Sequence, residues 1–305
     1  MSVINNEAKT DAATPSQSEL RALDLACSLL DSRDFGEAIP VINRIVVMRQ
    51  WRGADRVGTT VWFEELAYCL RQTKQFHAAA AILQKVHSVY ECMYSEADPK
   101  RVQAQQNMAL ALAEAGDADK ALKELPIAAG NAVRTDGANS FAAAECYSRW
   151  LECLRKQERW SQTIWVGERY LVDYGYYEPH DCRKQVIEIL HSVAHAYRKV
   201  NNFDKAVIFL EAAVLNSRAK WGDIDRRTLE AQRWLARCMH CQGYRHEAME
   251  LLKYVRHTYA ESLGAHHQNT LTVSRELKRR RSKLKQRQAL VRRQIRKTRK
   301  ANSTK

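Results

Sequence analysis

Apolar residues recur at three- and four-residue intervals over most of this chain, and no stretch alternates as a half-buried strand would. The clearest segment is 201–252, NNFDKAVIFLEAAVLNSRAKWGDIDRRTLEAQRWLARCMHCQGYRHEAMELL. Two short turns, NNFDKA and QGYRHEA, each lead a small alanine, Ala206 and Ala248, into an apolar helix. The two alanines are 42 residues apart, with a helix-length run, a Trp-Gly-Asp loop and a second helix-length run between them. That is a helix–loop–helix–turn unit, and such a unit buries its apolar face by stacking on copies of itself.

Further copies precede it. The turns DFGEA, QFHAA, GDADKA and RWSQT place Ala38, Ala79, Ala121 and Thr163 at the same point, so the six anchors are spaced 41, 42, 42, 43 and 42 residues apart. Twelve positions before each anchor stand Ala26, Ala67, Ala109, Leu151, Ala194 and Ala236, and thirteen before stand Leu25, Leu66, Met108, Trp150, Val193 and Leu235. Nine before come Leu29, Leu70, Leu112, Leu154, Tyr197 and Met239; four after come Ile42, Leu83, Leu125, Gly167, Leu210 and Leu252. Small residues where helices approach and large ones where they interlock form a packing code. It predicts an all-α chain, an α-solenoid of about six helix pairs with a C-terminal capping helix running into a basic tail. Residues 1–18 are expected to be disordered, 19–274 to form the repeats, and 275–305 to be a basic tail, helical or disordered.

Finer expectations follow. Asp98-Pro99 suits a helix start, with Asp98 as the cap and Pro99 at the first position. Pro40 and Pro126 fall inside second helices and are expected to kink or shorten them. Unit four departs at its anchor, Thr163, and its aromatic residues Phe141, Tyr147, Trp150, Trp160, Trp165 and Tyr170 are expected to compensate. The segment 173–181, DYGYYEPHD, reads as a loop.

The loop text is more specific than the period. Gly222 and Gly264 are 42 apart, as are Thr228 and Thr270, each pair set in a glycine, an Asp/His cluster and a Thr-Leu that opens a helix. This resembles the long-unit tetratricopeptide repeats of kinesin light chains, over roughly residues 19–275. HEAT-type repeats have a similar period and are the rival solenoid. The resemblance implies a right-handed superhelix whose first helices line a concave, peptide-binding groove. A kinesin light chain itself is not expected, because that family places a long heptad segment before its repeats and residues 1–18 supply none.

Charge changes the picture only once it is located. Of 49 Lys/Arg and 35 Asp/Glu, residues 275–305 hold 15 and one, the acid being Glu276; the other 274 residues hold 34 of each. The formal +14 therefore resides in the tail, beside a neutral repeat domain. The eight cysteines have no framework spacing, and no run is fit for a signal peptide or an 18-residue membrane span, so a cytoplasmic or nuclear protein is expected.

Residues 15, 11 and 8 before each anchor should face the groove. They include Arg155, His191, His195, Arg198, Arg233, Arg237 and His240, and the earlier units offer Glu64, Tyr68, Arg71, Gln106, Leu110, Ala113, Ser148 and Glu152. Asn107, fourteen before its anchor, matches the asparagine with which such repeats hold a peptide backbone. The competing reading is a solvated helix face. Recurring arginines favour a carboxylate or phosphate partner, and hence an acidic peptide. His191 and His195 could hold a metal by spacing but lack the Glu of HExxH; CMHC, 238–241, lies inside a helix with no second CxxC. No metal or cofactor is expected, and no phosphate-loop, nucleophile-elbow or kinase motif points to an enzyme. The tail stretch Lys278, Arg279, Arg280, Arg281, Lys283 and Lys285 admits three readings: an importin-read nuclear signal, a contact to nucleic acid or anionic membrane, or a solubilising cap.

Overall fold

The computed structural model describes residues 16–51, 56–137, 140–173 and 184–302. Among them are thirteen helices and no strand. The chain forms two compact units divided between Arg159 and Trp160. The first holds α1 (Gln17–Ser32), α2 (Phe35–Trp51), α3 (Arg56–Gln72), α4 (Phe76–Met93), α5 (Pro99–Ala115), α6 (Ala118–Asp136) and α7 (Phe141–Lys156). The second holds α8 (Trp160–Asp173), α9 (Lys184–Lys199), α10 (Phe203–Trp221), α11 (Arg226–Gln242), α12 (Arg245–Leu263) and α13 (Gln268–Asn302). Within each unit every helix packs on its chain neighbours, and α5 also packs on α7, so both are helix-pair solenoids. The boundary falls inside the fourth pair, the one with threonine at its anchor. The expected loop 173–181 lies, apart from Asp173, outside the described residues.

The packing code appears as burial. Ala38, Ala79, Ala121, Thr163, Ala206 and Ala248 are all fully buried, and so, twelve positions earlier, are Ala26, Ala67, Ala109, Leu151, Ala194 and Ala236. In the five pairs other than the fourth, alanine at both points lets the two helices approach closely. Leu25 departs from its row and is half exposed, because α1 has no described helix ahead of it to cover that face.

Each turn within a pair places one residue in the left-handed region, always five before the anchor: Arg33, Lys74, Gly116, Glu158, Asn201 and Gly243. Between pairs, Gly222 and Gly264 close α10 and α12 with φ of 87° and 93°, values that glycine adopts without a Cβ clash. The next helix is capped by a side chain: Asp225 accepts from the Arg227 N–H at 2.8 Å, and Asp98 from the Lys100 N–H at 2.8 Å with Pro99 opening α5. Thr270 is buried and donates to the Gly264 carbonyl at 2.9 Å; Thr228, at the same place in the preceding loop, is also buried but does not repeat that bond.

Two expectations need correction. α2 and α6 continue as α-helix past Pro40 and Pro126, so neither proline ends its helix. Each proline removes one helix hydrogen bond and costs about 3 kcal/mol. The fully buried neighbours Ala38 and Ile42, and Leu125, Ala128 and Ala129, hold the helices in place, since one buried leucine or isoleucine alone contributes about 1.5–3 kcal/mol. Nor do the aromatics of the fourth pair all fill its interior. Tyr170 is buried, but Phe141 and Trp165 are more than half exposed.

Candidate functional site

Ion pairs join neighbouring first helices in both units: α3 to α5, α7 to α5, and α11 to α13. In the first unit, Arg71 of α3 forks onto Glu114 of α5, Nε to Oε2 at 2.7 Å and Nη2 to Oε1 at 2.9 Å. Arg149 of α7 stands 4.0 Å from the same carboxylate and also meets Glu145 (3.5 Å) and Glu152 (3.1 Å) on its own helix. In the second unit, three guanidinium groups converge on Glu276 of α13. Arg233 donates at 3.1 Å, Arg237 donates twice at 2.8 and 3.0 Å, and Arg280 donates at 2.8 Å. Burial works against a charge on Glu276, but the hydrogen bonds from Arg237, Arg280 and Arg233 outweigh it and hold its carboxyl at about 2.

Beside this cluster the surface is aromatic. Trp234 of α11 has the Arg198 guanidinium 4.6 Å from its ring centre and that of Arg237 at 4.5 Å. His195 of α9 lies 5.3 Å from Trp160 and 6.5 Å from Trp234, and Lys199 lies 5.0 Å over Trp160. Burial pulls His191 down to about 4, so its imidazole is neutral at physiological pH.

Of the predicted groove residues in the second unit, His195, Arg198, Arg233 and Arg237 come together around Trp234 and Glu276. His191 and His240, half-buried, share helices α9 and α11 with them. Arg233 and Arg237 are engaged by the chain's own carboxylate, whereas Arg198 has none among the described residues within ion-pair distance. In the first unit, Asn107 is half-buried and accepts from Gln103 at 3.2 Å, and Arg155 is half-buried in the last turn of α7. Gln106, Ala113 and Ser148, expected on the open face, are buried instead, because α5 and α7 pack side by side there. In the tail, Lys278, Arg279 and Arg281 are exposed, while Arg280 turns onto Glu276; Lys283 and Lys285 belong to α13, and their side chains lie outside the described residues. Cys238 of CMHC is fully buried, and burial pushes its thiol up to about 11; Cys241 is exposed. Among the described residues no three His, Cys, Asp or Glu are grouped as metal ligands, and no helix is long and apolar enough to cross a membrane.

Sequence reasoning missed Trp234, Glu114 and Glu276. A signal existed: Arg71 and Glu114 are 43 residues apart, as are Arg233 and Glu276. Trp234 also stands fourteen before its anchor, the position that Asn107 holds in the third pair.

Residues 187–219, in α9 and α10, match the tetratricopeptide repeat family model. No curated protein matches the sequence significantly. Among solved structures, nearly identical TPR-like repeats of a candidate kinesin light chain from Podosopora anserina share 21% identity at a TM-score of 0.55, covering 66% of this chain and 94% of that one. BtubC (BKLC) from P. vanneervenii shares 12% identity at a TM-score of 0.55 over 83% of this chain and 95% of that one. The apo form of the quorum sensor NprR from B. thuringiensis shares 13% at 0.60, covering 85% and 70%. At these identities the likeness is one of fold: long tetratricopeptide-type repeats similar to those of kinesin light chains.

Proposed function

We propose that this chain is a non-catalytic interaction scaffold, cytoplasmic or nuclear, that holds an acidic peptide segment against α9 and α11. Arg198 and Trp234 form the centre of the site, with His191, His195, Arg233, Arg237 and His240 around them. The observation that carries this reading is Glu276. Three guanidinium groups take its one carboxylate, two of the contacts forming an Arg fork. A surface that seats one carboxylate in this way has the chemistry to seat another. Three cations meet this one anion, and Arg198 stands over the adjoining Trp234 ring, so the cluster keeps positive charge for an incoming acid. Trp234 and Trp160 add flat apolar area beside the cations, the composition that concentrates binding energy at interfaces. On the first helices of the other unit, Arg155 adds a guanidinium and Asn107 an amide that can hydrogen-bond a peptide backbone. The scaffold role rests on the tetratricopeptide-type fold and on a sequence without nucleophile, phosphate-loop or zinc-protease motifs.

The test is fluorescence anisotropy with a short labelled glutamate-rich peptide beside a lysine-rich one. The glutamate-rich peptide should bind, and Arg198→Glu should weaken it by about tenfold or more, equivalent to about 1.4 kcal/mol. Circular dichroism should stay unchanged, because Arg198 holds no ion pair among the described residues. Equal binding of the two peptides, or no effect of the substitution, would remove the reading.

A further inference from the structure

α13 stands in the register of the first helix of a seventh pair. Stepping 42 residues from Ala248 puts the seventh anchor at position 290, which is Leu290, exposed and still within the same unbroken helix. Twelve before it, where the other six pairs carry alanine or leucine, stands Lys278. Nine before it, where they carry leucine, tyrosine or methionine, stands Arg281. The face that would bury a second helix has therefore become cationic, and a buried unpaired cation would oppose any apolar helix laid there.

That face forms a cleft of about 460 Å³ with α12, lined by Arg256, Ser274, Leu277, Lys278, Arg281, Ser282 and Gln286. The volume falls in the range of about 300–1,000 Å³ usual for small-ligand sites. Its polar lining consists of three cations, two hydroxyls and an amide, with no carboxylate. Glu250, nearby on α12, is bound to Lys253 at 2.6 Å; that hydrogen bond is the main cause of its lowered pKa, and Arg281 contributes less. Leu277 is the one apolar lining residue and is already buried, so the cleft offers little to an amphipathic helix.

We infer that this cleft is a binding site for a clustered-phosphate anion, held by Arg256, Lys278 and Arg281 with hydroxyl donors from Ser274 and Ser282. Guanidinium, ammonium and hydroxyl donors without a competing carboxylate suit phosphate oxygens. At 3.6 residues per turn, Ser274, Lys278, Arg281 and Ser282 lie on the side of α13 away from Glu276. The inference therefore stands apart from the acidic-peptide reading, and neither test moves the other.

The experiment is isothermal titration of the full chain with inorganic tripolyphosphate. Lys278→Ala with Arg281→Leu restores the residue types of the other pairs on two exposed side chains and should weaken binding about tenfold or more. Arg292→Ala with Arg293→Ala removes the same charge three turns further along α13, about 16 Å beyond Arg281 at 1.5 Å per residue, and should leave affinity within about twofold, because charges more than a Debye length apart are screened. Ser274→Ala with Ser282→Ala should weaken binding without changing net charge. Vesicles carrying a phosphoinositide form a second arm. If they compete with tripolyphosphate for the wild type but not for the Lys278/Arg281 variant, the phosphate is supplied by a lipid headgroup; if they do not compete, by a free anion. No binding by the wild type, or equal losses in the two double-cation variants, would overturn the site.

Discussion

Replacing Glu276 by Gln keeps the shape of the side chain and removes the charge on which Arg233, Arg237 and Arg280 converge. The glutamate side chain is 11% exposed, and the three arginines are 18%, 31% and 14% exposed. Its carboxyl is lowered from 4.5 to about 2 by hydrogen bonds that outweigh the cost of burial. Taken in full, a shift of that size corresponds to roughly 3 kcal/mol, and solvent screening at the partly open Arg237 reduces the expected loss to about 2 kcal/mol. The sign is set by linkage. A carboxyl whose folded pKa lies below its unfolded value contributes stability that is complete above the unfolded pKa and is lost as pH falls through the folded one. The difference between wild type and Glu276→Gln should therefore be whole at pH 7 and shrink from about pH 5 towards pH 2. Urea titrations of both proteins by circular dichroism at a series of pH values measure it, because carboxylates common to both cancel. A difference that is absent at pH 7, or constant from neutral pH into acid, would refute the assignment of Glu276 as the ionised partner.

Ala236, fully buried opposite the fully buried anchor Ala248, should not accept a ring: Ala236→Phe is expected to cost about 1–3 kcal/mol, read as a lower urea midpoint, and an unchanged midpoint would mean that the α11–α12 register is wrong. Lys74 sits exposed in the left-handed region at φ 62°, which costs a non-glycine residue about 1–2 kcal/mol. Lys74→Gly should therefore raise stability by about 0.5–1 kcal/mol after glycine's own entropy cost, and a fall in thermal midpoint would contradict the turn geometry.

The period, the six anchors and the pairing of helices were legible in the sequence because close packing fixes side-chain volume at each contact, and repetition writes the same volume every 41 to 43 residues. The loop glycines and the caps were legible for the same kind of reason, since a positive φ or an unpaired helix N–H selects a residue type locally. Proline misled as a sign of a helix end because its effect on a helix is local while the burial that overrides it is not.

The candidate site was legible only in part. The positions facing away from the second helices follow from helical geometry, so Arg198, Arg233 and Arg237 were found. Charge counting read Glu276 as the lone acid of a tail. Its function as the carboxylate holding three arginines depends on α13 lying against α11, 43 residues away in the case of Arg233. Left-handed turn residues five before every anchor were likewise invisible, since three of the six are Arg, Lys and Glu, types with no preference for that conformation. The sequence by itself determined where the two helices of a pair meet, because that contact is encoded by residue type at fixed spacing, whereas the burial of Gln106, Ala113 and Ser148 followed from how neighbouring first helices pack. Only the tertiary structure decided which charges meet, because an ion pair depends on which two surfaces are brought within a few ångströms, and residue type alone does not specify that.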